Sequence, residues 1–253
     1  MTSKKLAFAM LVATCIGTSF SLASAQAKPA AAAAKTEVAK LQIELDTTGI
    51  AKTTKVSIVP KDPYSPDDTI SLSGSPMHVR IIFDGKNMKY GDNSFNEPHL
   101  LIYPVDQYAA VFPKNKQAEF NKIISDLKKI VATKSSKGFQ SMPILPSSDG
   151  YEFLHVQENY LNFNHGAGSG VSYISVYGNG DPPVNESDFF YTFQGITRDN
   201  KYYVSFFWPI KVTGMPKDLP LAKSKAYAEK LARAKFAPGL DVLDKVVSSI
   251  TLK

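Results

Sequence analysis

The chain has four histidines, His78, His99, His155 and His165, and they are its side chains best suited to moving protons near neutral pH. His155, Glu158 and His165 come nearest to a metal set, because a hairpin would bring His165 back beside the strand carrying the other two. Strand parity argues against it. On a continuous strand residues 155 and 158 point to opposite faces, and no helix presents two ligands at the four-residue spacing that zinc hydrolases use. His78, Arg80 and Asp84 share one face of a single predicted strand, and a carboxylate near a histidine or arginine is a common acid–base arrangement. A solvent-facing sheet surface explains the same pattern. The one cysteine, Cys15, lies in an N-terminal apolar run, so thiolate chemistry is not expected. These residue types give no catalytic residue, no metal site and no cofactor.

Gly166-Ala167-Gly168-Ser169-Gly170-Val171 lacks the third glycine of a dinucleotide fingerprint and the flanking glycines of a nucleophile elbow. It reads as a hairpin tip whose glycines supply positive φ, with an anion-binding backbone nest as the alternative.

Recognition chemistry is better represented in the aromatic segment 189–208. Pairing Phe189–Ile196 with Tyr202–Trp208 across Asp199-Asn200 sets Ile196 opposite Tyr203, Gln194 opposite Ser205 and Thr192 opposite Phe207. One face then holds Phe189, Tyr191, Phe193, Val204, Phe206 and Trp208, a core face. The other holds Thr192, Gln194, Tyr203, Ser205 and Phe207. That face mixes rings with hydrogen-bonding groups, as recognition surfaces do, so these five are the candidate ligand-binding residues. A second buried layer is the competing explanation.

Several elements must position these residues. Alternating or β-branched runs predict strands at Lys40–Leu45, Thr54–Val59, Met77–Phe83, His99–Tyr103, Tyr151–Val156, Tyr160–Phe163 and Val171–Tyr177, besides the hairpin. Phe120, Ile123, Ile124, Leu127, Ile130 and Val131 recur at three and four, which predicts a helix over Asn115–Thr133. Two more helices, Leu221–Phe236 and Leu240–Ile250, are separated by Pro238-Gly239. The fold class is therefore α+β: one domain, residues 37–253, with a mainly antiparallel sheet of seven to nine strands and helices packed on one face and at the C-terminus.

Lys4 and Lys5, the apolar run Leu6–Phe20 and Ala23-Ser24-Ala25 have the three-part form of a secretory signal. Residues 1–25 are expected to be cleaved, and the Ala-rich residues 26–36 to form a flexible spacer. The mature chain would hold no cysteine and would work in the periplasm or outside the cell. The apolar run is too short to span a bilayer, so the protein is not expected to be transmembrane. Residues 114–137 carry seven lysines against two acids, and residues 217–235 six basic residues against two acids. Both fall on predicted helices, which implies solvated basic faces or a peripheral contact with anionic surfaces. Nucleic acid is not an expected partner, because arginine is scarce and no aromatic-basic signature accompanies the lysines.

Phe190-Tyr191-Thr192-Phe193-Gln194-Gly195-Ile196-Thr197, with Asp199, Tyr202-Tyr203-Val204-Ser205 and Gly168-Ser169-Gly170-Val171, resembles a motif of an uncharacterised family of secreted bacterial proteins. The resemblance spans roughly Pro98–Pro209 and implies no activity and no site residues. The final hairpin and helix, closing on Val246-Val247-Ser248-Ser249-Ile250, are similar to PsbP-like domains, which implies a docking module. The expected function is an exported, non-catalytic binding or interaction module for a small ligand or envelope protein. A cofactor-independent hydrolase using histidine and carboxylate groups is the alternative, and it requires a cleft where the two meet.

Overall fold

A computed structural model describes residues 38–85, 97–147, 151–152, 155–178 and 183–253. The signal, the spacer and Cys15 lie outside the described residues. Twelve strands follow in chain order: β1 (Ile43–Glu44), β2 (Thr54–Val59), β3 (His78–Phe83), β4 (His99–Pro104), β5 (Tyr151–Glu152), β6 (Val156–Phe163), β7 (Gly168–Gly178), β8 (Phe189–Thr197), β9 (Tyr202–Pro209), β10 (Lys211–Val212), β11 (Phe236–Ala237) and β12 (Thr251–Leu252). The helices are α1 (Val105–Ala109), α2 (Lys114–Thr133), α3 (Leu221–Lys230) and α4 (Leu240–Ser249). This is an α+β fold around one antiparallel sheet. Its order is β2-β3-β4-β9-β8-β7, and β5 and β6 both pair the outer edge of β7.

The aromatic hairpin has the register its sequence predicts, with Ile196 opposite Tyr203, Gln194 opposite Ser205 and Thr192 opposite Phe207. Its apolar face joins Val79, Ile81, Phe83, Leu100 and Ile102 in the larger core, closed by Leu240, Leu243, Val246 and Val247 of α4. Burying each such side chain contributes about 1.5–3 kcal/mol, which makes this face the main source of stability. The C-terminal helix thus covers one side of the sheet, while α2 covers the other. Phe120, Ile124, Leu127 and Ile130 of α2 pack against Leu101, Tyr103, Val171, Tyr173, Ile196 and Tyr203.

One carboxylate fixes α4 on the sheet. Asp244 Oδ1 accepts from Tyr191 Oη at 2.7 Å and Ser172 Oγ at 3.1 Å, and Oδ2 accepts from Asn159 Nδ2 at 2.7 Å and from Arg233 Nη2. Burial, then the Asp244 charge, pushes the Tyr191 hydroxyl well above the usual phenol range.

Helix α3 stops at Lys230, short of the predicted Phe236. Gln157 Nε2 reaches the carbonyls of Ala228, Glu229 and Leu231 at 3.0 Å each, and Phe236 leaves to pair with Val212 as β11 against β10. Tertiary partners here outweigh a good helical propensity.

Candidate ligand-binding cleft at the hairpin end

The five candidate residues are together, but they do not form a surface. Thr192 is 1% exposed, Gln194 0%, Tyr203 0%, Ser205 3% and Phe207 5%. Gln194 Nε2 donates to Thr192 Oγ1 at 2.8 Å and Ser205 Oγ at 3.1 Å, and its Oε1 accepts from Tyr203 Oη at 2.5 Å and the Leu145 N–H at 3.3 Å. Both donors and both lone pairs of the amide are used, which leaves it nothing to offer a ligand. Phe207 is stacked between His99 and Phe190, with ring centroids at 5.1 and 4.9 Å. The expected exposed recognition surface is therefore corrected to a second buried layer. Tyr203 packs under α2 with Phe120, Ile124, Leu127 and Ile130, and the loop after α2 meets Gln194 through the Leu145 N–H.

The histidines are dispersed. His78 and His99 are buried, and their Nδ1 atoms bond the backbone oxygens of Pro76 at 2.8 Å and Glu97 at 2.9 Å. Burial pushes both imidazoles down to about 4, and the Arg80 charge acts in the same direction. Asp84 stands apart from them, beyond the end of β3. Its Oδ1 accepts from the N–H groups of Lys52 and Thr53 at 2.8 and 3.1 Å, which hold its carboxyl below the usual range.

His155 and Glu158 do approach each other, Nε2 to Oε1 at 3.8 Å, contrary to strand parity. Gln157 adopts φ 59° and the register shifts between Val156 and Asn159, so a β-bulge turns Glu158 back. Ser136 Oγ donates to Glu158 Oε1, and Tyr160 Oη donates to Oε2 at 2.8 Å. His165 is elsewhere, its Nε2 at 3.3 Å from Thr251 Oγ1. No group of three or more metal-ligating side chains occurs among the described residues.

The concave feature with concentrated charge is at one end of the sheet, where two chain reversals meet β1 and β12. At the β6–β7 reversal Asn164 and His165 adopt φ 51° and Gly166 φ 82°. Asn164 compensates by donating its N–H to Ile250 O at 2.7 Å and accepting the Leu252 N–H on Oδ1 at 3.1 Å, which ties in β12 and its partner β1. At the β8–β9 turn Asp199 Oδ1 accepts from Thr197 Oγ1 at 2.7 Å and the Lys201 N–H at 3.1 Å, and Asn200 takes φ 62°. These bonds, Thr197 first, hold the Asp199 carboxyl below its ordinary range. Arg198 joins the tips: its N–H donates to Ala167 O at 2.7 Å and its Nη2 to Gly166 O at 2.8 Å.

The reversals enclose a cavity of about 650 Å³ whose walls include Lys40, Leu41, Arg198, Lys201, Leu252 and Lys253. Asp199 is the only acidic side chain in its lining. A second cavity of about 270 Å³ lies on the far side of Arg198, between Lys128 of α2 and Ser169, and no carboxylate lines it. Lys253 pairs with Glu44 at 2.8 Å and Lys201 stands 3.8 Å from Asp199. Among the described residues Lys40 has no hydrogen-bond or ion-pair partner, and the Arg198 side chain bonds one carbonyl, Gly166 O. Like charges gathered in a concavity reinforce one another's potential.

Sequence reasoning marked this end only through the glycine-rich segment and the Asp199-Asn200 turn. The glycines are there partly for another reason: a Cβ on Gly168 would fall 2.3 Å from the Phe163 ring, and one on Gly170 2.4 Å from the Gln194 carbonyl oxygen. Nothing local connects Lys40 with Arg198. The pairing of Ile43 with Leu252 and Glu44 with Thr251 does so. No family model, curated protein or solved structure matches the chain.

Proposed function

We propose that the protein is an exported, non-catalytic binding module that takes a ligand or envelope partner at the end of the sheet where the two hairpin tips meet β1 and β12. The observation that carries this reading is the cavity of about 650 Å³ whose lining holds four cationic side chains and one acidic side chain. The volume suits a small organic ligand. The resemblance to docking domains of the PsbP type points the same way. Export rests on the Lys4–Ala25 segment. Among the described residues no helix is long and apolar enough to cross a membrane.

The hydrolase reading has one feature in its favour, the approach of His155 to Glu158 beside Ser136. Its geometry does not suit nucleophile activation, because Ser136 donates to the carboxylate and not to the imidazole that would act as base. Native mass spectrometry of protein purified from its own envelope fraction separates the two. The binding reading predicts a retained adduct that is lost when Lys40 and Lys201 are both replaced by alanine. Ester or amide hydrolysis abolished by Glu158→Gln, with no adduct retained, would overturn it.

A further inference from the structure

The cations at the hairpin end are not distributed as a solvated face would be. In the larger cavity Lys40, Arg198, Lys201 and Lys253 line one concavity against Asp199, and in the smaller one Lys128 and Arg198 face a wall with no acid. Both cavities share Thr197 and Arg198. The single acidic side chain of the lining, Asp199, accepts from Thr197 and the Lys201 N–H and keeps its charge, which offsets Lys201 at 3.8 Å. Lys253 is offset by Glu44, which leaves Lys40 and Arg198 as the least compensated charges. Arg198 is also the most firmly placed, because one end of its guanidinium is anchored on Gly166 O while the other edge keeps donors for a planar oxyanion. Beside these cations stand Leu41, Tyr202 and Leu252, apolar surface suited to an organic body.

The geometry points to a binding site for a multivalent oxyanion carried on an organic body, a phosphate ester or polycarboxylate, with Arg198 and Lys40 as its principal contacts and Lys201 as an additional one. A monovalent anion would answer one of these two charges, and a neutral ligand neither. The assignment rests on the proposed binding role of the same cleft and specifies its ligand class. The same headgroup chemistry exists free in solution and on an acidic lipid surface.

Isothermal titration of the mature chain with inorganic phosphate and with citrate, alongside flotation with phosphatidic acid or phosphatidylcholine vesicles, tests the site. Lys40→Ala/Lys201→Ala removes two exposed side chains that line the cavity, while Lys217→Ala/Lys223→Ala removes equal charge from exposed positions lining neither. The cavity double variant is expected to weaken binding about tenfold or more, the equivalent of about 1.4 kcal/mol; the control is expected to stay near wild type. Thermal melts establish that both are folded. Binding of phosphate or citrate identifies a soluble ligand, and flotation with phosphatidic acid alone identifies a headgroup. Equal weakening by the two variants, or no binding to any probe, overturns the anion assignment. If that failure comes with an adduct still retained in native mass spectra, the binding role stands and only the ligand class falls.

Discussion

Tyr203 shows how residue type can suggest one role and packing impose another. A tyrosine beside Gln194, Thr192 and Ser205 has the composition of a recognition surface, yet its hydroxyl is spent on Gln194 and its ring is fully buried. Tyr203→Ala is therefore expected to cost about 3–5 kcal/mol, comparable with Phe193→Ala. Gln194→Ala should cost about 2–4 kcal/mol, because the Leu145 N–H and the Tyr203 hydroxyl lose their acceptor. Urea titration of the three variants checks this ranking. His78 and His99 make a second prediction at this scale. Their folded values near 4 lie below the ordinary 6.5, so between those limits the unfolded chain binds more protons and stability rises with pH. The stabilisation is complete above about 6.5 and is lost as pH falls toward about 4, on the order of 3 kcal/mol for each ring. Melting temperatures recorded from pH 7 to pH 4 should fall steeply, and His78→Gln/His99→Gln should flatten the dependence.

Among the elements, α4 depends on Asp244 as much as on its apolar stripe. The carboxylate gathers Tyr191 of β8, Ser172 of β7, Asn159 of β6 and Arg233, so three strands and a helix share one acceptor. Asp244→Ala leaves these donors without it and is expected to cost about 3–5 kcal/mol, read as a shift in the denaturant midpoint with an unchanged slope. The central hairpin and α2 were legible in the sequence, the hairpin because aromatic and β-branched runs flank the Asp199-Asn200 turn that fixes its register, and α2 because a three-to-four spacing had one face to satisfy. β12, two residues long, was not, and β1 was read only within the longer run Lys40–Leu45, of which Ile43–Glu44 is strand. Their pairing joins distant segments, Ile43 with Leu252 and Glu44 with Thr251, and a run that short carries no period. The bulge at Gln157 was equally invisible, because nothing in Val156-Gln157-Glu158 announces a left-handed backbone. It alone reverses the parity that separates His155 from Glu158.

On the scale of the whole molecule, the central strands β4, β9 and β8 are buried on both faces, whereas the edge strand β2 is largely exposed. The candidate site is legible only once the fold is known. Lys40 and Arg198 are far apart in sequence, and their meeting follows from β12 returning beside β1. The lysines of α2 remain mostly exposed, so a sequence-level reading of charge favours that helix over the cleft. Phosphate titration followed in amide ¹H–¹⁵N correlation spectra distinguishes the two most directly. Binding at the hairpin end predicts saturable shifts confined to residues 40–41, 164–167, 197–202 and 252–253, while amides along the exposed face of α2 stay unmoved. Shifts spread along α2, or none with phosphate, citrate or short-chain phosphatidic acid alike, would contradict the cleft as the binding site.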